Sequence, residues 1–549
     1  MGALKVGSPF GLEKKYIDAI DWSLAIKRIS NDMRSDFIFA PHLNYILRLK
    51  KDSLIELVKS ELSAGKYIPG LPVTIEVPKS SRIKISVQPP RSGPNYSRPG
   101  SILMPKDRLV YQILSDEAAE IIAKKTDKNR SFSHVLDIDN PERMFKPTRV
   151  CWDAFQKDMR KKTSGTRIKY VLKIDIANFF GSINQHTLVN VLADAGLRKP
   201  YVDRLENILT SFSGDRSSRG IIQGIFPSDI LGNFYLEPLD RFLDDKGVPS
   251  ARYVDDVYIF VKSVNEAEAL VRALIPELRS YDLSLNEAKS AIIPKKMLVV
   301  EEPDLEDLFR TAIDEVAQQL DRESFDVGYG FQMSWEDEDE EEDEDDEDSD
   351  DSDVGESEEE FLKIEATKKL FDGINNYPGH EESIERFCLP IFTQASSDYA
   401  VHHVLNSFDD RPSMSQLYCS YLSRFIDDED VYEFLCGAIQ NSNRYEWQRM
   451  WILASLLQRE TVEDSIVREV HKIFSDGGCH ETVRAVAAIF IGRFGDATRR
   501  KSLVSSYGSV SVYIQAAIFY ISRKWPSVEK NNAKSLWSNS NELNKLIKD

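Results

Sequence analysis

Cysteine is scarce in this chain. There are five in 549 residues, Cys151, Cys388, Cys419, Cys436 and Cys479. The number is odd and no two form a C-x-x-C pair, which excludes a disulfide framework and a zinc ribbon and fits a reducing compartment. The eight histidines show no metal-binding spacing, and His402-His403 reads as a structural pair on a helix. No Walker A loop, Gly-x-Ser-x-Gly elbow or HEXXH helix occurs. Long apolar runs are lacking too. The start, Met1-Gly2-Ala3-Leu4-Lys5, has no signal-peptide core, and no stretch of ~18 apolar residues offers a bilayer span, so a soluble cytoplasmic protein without a membrane partner is expected. Basic charge is missing from one place above all: Glu336 to Glu360 hold 20 acidic side chains and no Lys or Arg. The formal net charge is −20, so the rest of the chain balances to zero. Residues 1–170 carry 31 Lys and Arg against 19 Asp and Glu, a net of +12 that makes the front of the chain basic.

A chain of 549 residues, 42% hydrophobic and 29% charged, is globular and long enough for about three domains at the usual ~100–200 residues each. Residues 1–64 read as a helical region, with apolar positions at three- and four-residue spacing in Leu43-Ile46-Leu47 and Leu54-Leu57-Val58-Leu62. Short β-type runs broken by Pro, Gly and Ser follow from Ile68 to Pro105, then a helix from Leu109 to Lys125. Tyr170 to Val300 alternates strands and helices, an α+β layout. Residues 301–335 offer a thumb or connector, with a short thumb from Leu305 to Leu320. Self-repulsion predicts a disordered linker over 336–360. Residues 361–549 are helical throughout. Gln448–Arg459, Thr482–Arg493 and Val512–Arg523 align without gaps at offsets of 34 and 30, which suggests either stacked helical hairpins of the HEAT kind or an irregular bundle.

Chemistry concentrates in Arg252-Tyr253-Val254-Asp255-Asp256-Val257-Tyr258-Ile259-Phe260-Val261. Two apolar β-type runs flank adjacent carboxylates where a tight hairpin would turn. Burying two like charges between hydrophobic strands is costly unless a cation compensates them. A third carboxylate, Asp175, ends another apolar strand in Lys173-Ile174-Asp175-Ile176-Ala177-Asn178-Phe179-Phe180. Carboxylates so placed suit two Mg²⁺ ions ~3.5–4 Å apart. Between them lies Gly220-Ile221-Ile222-Gln223-Gly224-Ile225-Phe226-Pro227-Ser228, a Gly- and Pro-marked loop opening a helix.

In this order the residues resemble the reverse transcriptases. Asp175 with Phe179-Phe180 is similar to their motif A. Gln223-Gly224 through Pro227-Ser228, Leu231 and Asn233 is similar to motif B, Tyr253-Val254-Asp255-Asp256 to motif C and Leu285-Asn286-Glu287-Ala288-Lys289 to motif D. Gly65-Lys66-Tyr67-Ile68-Pro69, the Arg98-Pro99 to Arg108 stretch and Arg130-Ser131-Phe132-Ser133-His134 resemble the fingers. The resemblance covers roughly residues 50–300. It implies fingers and palm of the right-hand polymerase type over 65–300, followed by an all-α HEAT-like domain, and an RNA-directed DNA polymerase.

Site roles follow from the same resemblance. Asp175, Asp255, Asp256 and the Ile176 carbonyl would hold two Mg²⁺, with Mn²⁺ as a substitute. Phe180 would be the steric gate against a ribose 2′-hydroxyl, Gln223 would lie near the incoming dNTP, and Lys289 would protonate or neutralise the departing pyrophosphate. Arg98, or Arg91, would grip the triphosphate. Gly181 stands where many group II intron enzymes carry Asp, which weakens kinship with intron maturases. Lys157, Arg160, Lys161, Lys162, Arg167 and Lys169, with the basic residues of 79–130, read either as a solvated face or as a track for a nucleic-acid backbone. The architecture as a whole resembles bacterial abortive-infection and defence-associated reverse transcriptases. That resemblance implies DNA synthesis on a non-coding RNA template in antiphage defence, with a phage-derived trigger or a second copy of the chain as further partners. Template-independent or protein-primed synthesis, a retroelement enzyme and a non-catalytic RNA-binding scaffold are the alternatives.

Overall fold

The computed structural model describes residues 11–87, 91–214, 218–300, 308–309, 312, 353–441 and 443–548. Within them the chain forms two compact units. The first comprises Met1–Thr74, Pro99–Val300 and Pro526–Asp549, and the second Ile75–Arg98 with Glu301–Trp525.

The β-branched runs of the first unit form an antiparallel sheet of β3 (Tyr170–Ile174), β4 (Ser250–Tyr253), β5 (Asp256–Val261) and β6 (Ala291–Pro294) in the order β4-β5-β3-β6. The strands β1 (Val73–Ile85) and β2 (Arg91–Ile102) make a separate two-stranded sheet. Alternation sorts the side chains of the palm sheet. Val171, Ala251 and Phe260 face the helix Thr148–Ser164, whose Phe155 and Met159 close that core together with Tyr253 and Tyr258. On the opposite face, Arg252 is buried at 1% exposure and bonds through Nε to both carboxylate oxygens of Asp240, at 3.1 and 2.9 Å. Asp240 lies on the helix Glu237–Asp245. Breaking a buried pair strands a charge, so Asp240→Ala should cost the unit about 3–5 kcal/mol, measured by denaturant unfolding against Asp240→Asn.

The N-terminal helices, expected as a region of their own, belong to this unit. Asp32 explains why. Its Oδ2 is 3.0 Å from Arg108 Nη2, and its Oδ1 accepts the Phe226 N–H at 3.1 Å, at the start of the helix Phe226–Tyr235. Burial pushes this carboxyl up to about 7 even with the guanidinium beside it. Residues 526–549, expected at the end of the C-terminal domain, also return here. The helix Glu542–Lys548 packs on Pro41–Leu49, and Glu542 bonds Lys106 at 2.8 Å.

In the second unit, the hairpin expected with the fingers forms two long strands, β1 (Val73–Ile85) and β2 (Arg91–Ile102), and its outer part groups with the helices. The Asn95 N–H donates to Tyr445 Oη at 3.1 Å, and Ser80 bonds Glu382. The three aligned segments become the helices Glu446–Leu456, Glu481–Phe494 and Val512–Ser522, each packed on the next and buried around nearly its whole circumference. His403 has a structural partner: its Nε2 is 2.7 Å from Oε1 of the buried Glu385. The helix Asp353–Asp372 starts inside the acidic tract, so the helical region begins at 353 and not 361. The rest of the linker and most of the 301–335 connector lie outside the described residues.

Candidate active site

Strand register brings the carboxylates together. The last β3–β5 pair is Ile174 with Val257, so Asp175 follows β3 where Asp256 begins β5. Tyr253 pairs with Asp256, which leaves Val254 and Asp255 as a two-residue turn, one residue earlier than the Asp255-Asp256 turn expected from the sequence. Tyr253 packs its ring on Trp152 and Phe155, with centroids 5.0 and 5.7 Å away, anchoring the turn in the core. Burial, and then the charges of Asp256 and Asp175, push the Asp255 carboxyl up to about 6, while Lys289 pulls it down.

Asp175 is held from the motif D side. Its Oδ2 accepts from Asn286 Nδ2 at 2.7 Å, its carbonyl accepts the Asn286 N–H at 2.8 Å, and its Oδ1 is 3.5 Å from Lys289 Nζ. Lys289 is otherwise well exposed. Ile176 is buried and bridges to Leu285 through the backbone. Asn286 was not singled out from sequence, although its place three residues before Lys289 was the available signal. Asn286→Ala frees one carboxylate oxygen, and loss of such a supporting bond to a metal-binding group costs roughly 10–100-fold. Single-nucleotide incorporation should fall by that much with the melting temperature unchanged, and Asn286→Asp should be worse because it adds a like charge.

Phe180 and the 220–224 loop also meet. The Ile221 N–H donates to the Phe180 carbonyl at 3.0 Å, and the Gly220 N–H to Ile183 O at 2.8 Å. The Phe180 ring lies against the backbone of Gly232, where a Cβ would come within 2.8 Å of Cε1. Gly224 has φ +79°, and a Cβ there would stand 2.5 Å from the Phe37 ring, so this loop glycine answers to the N-terminal region. Gln223, half-buried, sits between these constraints. At Gly181 a Cβ would lie 2.5 Å from Asn178 Nδ2, so the Asn178 side chain occupies the space an Asp there would need.

Arg98 and Arg91 group with the second unit, where burial and then Arg386 lower the Arg98 pKa and Arg91 is exposed. Two expectations of exposure change. Lys162 turns inward, its Nζ donating to Asn129 O at 2.6 Å and Ser250 O at 2.8 Å, and is no part of a basic surface. Arg108 and Arg130 are likewise buried, the latter donating to Val248 O at 2.9 Å. Lys157, Arg160, Lys161, Arg167 and Lys169 remain exposed.

The donor set fits a hard dication: carboxylate oxygens, one of them on a carboxyl that burial and then its like-charged neighbours hold above the usual carboxylate range. Among the described residues, no three His, Cys, Asp or Glu side chains stand close enough to cage an ion unaided.

Residues 90–300 match the reverse transcriptase (RNA-dependent DNA polymerase) family. Over that segment the chain is similar to a reverse transcriptase domain, and the fold is α+β with fingers and palm of that type and a helical C-terminal region. The COX1/OXI3 intron 2 protein of Saccharomyces cerevisiae is 26% identical over 224 residues, 40% of this chain. The chain spans about a fifth of that relative, 21% of its length. Among solved structures, telomerase from Candida tropicalis with the TWJ fragment of telomeric RNA aligns at 11% identity and a TM-score of 0.29, over 79% of this chain and 67% of that one. Telomerase from Candida albicans with the same kind of fragment aligns at 12% and 0.28, over 78% and 70%. No helix among the described residues is long and apolar enough to cross a membrane.

Proposed function

We propose that this protein is an RNA-directed DNA polymerase that joins dNTPs on an RNA template. The observation that carries the reading is the register that sets Asp175 beside Asp256 with Asp255 in the adjoining turn, where burial and like charge push its carboxyl up to about 6. Asp175, Asp255, Asp256 and the Ile176 carbonyl would hold two Mg²⁺, or Mn²⁺ in their place, which when bound activate a 3′-hydroxyl and stabilise leaving pyrophosphate. Phe180, seated on Gly232, excludes a 2′-hydroxyl, and Gln223 lines the nucleotide. Lys289 meets the departing pyrophosphate as a cation or proton donor. Extension of a DNA primer on an RNA template by purified protein tests the reading; no incorporation with either metal and any primer would reject it.

The finer reading is a cytoplasmic defence enzyme that copies a non-coding RNA. Its support is architectural: a palm followed by stacked helices read as HEAT-like, with no nuclease or integrase pattern in the sequence. A phage trigger or a second protomer would act through those helices. Sequencing nucleic acid that co-purifies with the protein tests it, since one recurrent small RNA with its complementary DNA is expected, and DNA of untemplated sequence would favour template-independent or protein-primed synthesis. A retroelement enzyme is the second reading, favoured by the likeness to an intron 2 protein. Binding to a self-splicing intron RNA would support it.

A further inference from the structure

We propose that Ser133 is a positioning residue for the carboxylate turn: its hydroxyl holds the Val254 peptide and so sets where Asp255 presents its side chain. The inference rests on the polymerase reading and deepens it.

Val254 has φ +56°, where a β-branched residue is strained and persists only when its surroundings hold it. Ser133 Oγ accepts the Val254 N–H at 2.8 Å, and Arg252 Nη1 donates to the Val254 carbonyl at 3.3 Å, so both sides of the residue are gripped. A serine hydroxyl has a single proton. Here it goes to Asn233 Oδ1 at 3.3 Å, which leaves oxygen lone pairs for Val254. Asn233 is fixed in turn: its Nδ2 donates to Ser133 O at 2.9 Å, and its Oδ1 accepts from Ser131 Oγ at 3.2 Å and Arg252 Nη1 at 2.5 Å. Arg252 is pinned by Asp240. The turn therefore hangs from a closed, buried network with one proton direction, and such networks specify a single geometry. Asp255 is the next residue along the chain. Ser131 is the internal control. It is as buried as Ser133, at 3% against 2%, and shares the same acceptor, but its hydroxyl bonds Asn233 and not the turn.

The test uses the full chain and Mn²⁺ as the probe. Binding is read by electron paramagnetic resonance, and the Mn²⁺ needed for half-maximal primer extension is measured alongside. Ser133→Ala should weaken both by roughly 10-fold, the low end for support lost behind a metal ligand, while Ser131→Ala stays within about 2-fold of wild type. Ser133→Thr, which keeps the oxygen, should restore binding; should its methyl prevent folding, the contrast between the two alanine variants decides alone. Ser133→Ala binding Mn²⁺ like wild type, or Ser131→Ala weakening it equally, would overturn the positioning role and leave the polymerase reading intact. Wild-type protein that neither binds Mn²⁺ nor extends a primer would overturn both.

Discussion

Asp255→Asn should abolish nucleotide incorporation, by roughly 10³-fold or more, and at the same time make the metal-free protein harder to unfold at pH 7.5. Both effects come from one charge. Burial and two neighbouring carboxylates raise the Asp255 carboxyl from its ordinary 3.8 to about 6, so the fold retains a proton there that the unfolded chain has already released. Stability contributed by this site is therefore greatest below pH ~4 and declines as pH rises through about 6. Asn cannot ionise. The stability difference between variant and wild type should be near zero below pH 4 and reach roughly 1–3 kcal/mol above pH 6. Mg²⁺ should stabilise wild type and not the variant, because a ligand stabilises only the state that binds it. Differential scanning calorimetry across pH, with and without Mg²⁺, measures all three. Asp256→Asn should lose activity as completely, and incorporation surviving in both variants would end the two-metal reading.

Phe180→Val should let ribonucleotides in, lowering discrimination of dGTP over GTP by roughly 100-fold while use of dGTP falls only modestly. The structure adds a second handle. The ring rests on bare backbone at Gly232, where a Cβ would press to 2.8 Å from Cε1, so Gly232→Ala unseats the gate without altering it and should shift the same ratio. Competition of the two nucleotides on one primer reads both variants. If neither moves the ratio, Phe180 is a packing aromatic.

Local sequence disclosed the palm well. β-type runs flanking Asp255-Asp256 announced strands and a turn, and the register that adds Asp175 follows from pairing those same runs. Asp175's restraint by Asn286 was harder to see, because a short polar side chain gives no periodic signal. Lys162 was misread for a different reason. In a basic run it looks solvated, yet it lies three and seven residues beyond Met159 and Phe155, on the stripe their burial defines, so the helix turns it toward the sheet. Arg98 could not be placed by spacing at all. Its neighbour Arg386 is distant in sequence, and hairpin strands alone do not say which body their tips will join.

The return of residues 526–548 to the first unit has a consequence for how the molecule is made. A body assembled from three stretches of chain cannot be finished in order of synthesis. Until the helix Glu542–Lys548 exists, the apolar surface that Pro41–Leu49 offers it stays open, and Lys106 keeps Glu61, 3.4 Å away, but lacks Glu542. The helices between, which are contiguous from Asp353 to Trp525 apart from one hairpin, can close first. Translation thus imposes a sequence of events in which the unit that carries the carboxylates is completed after the helices between, and a nascent chain stalled before residue 526 would hold that unit unfinished on the ribosome.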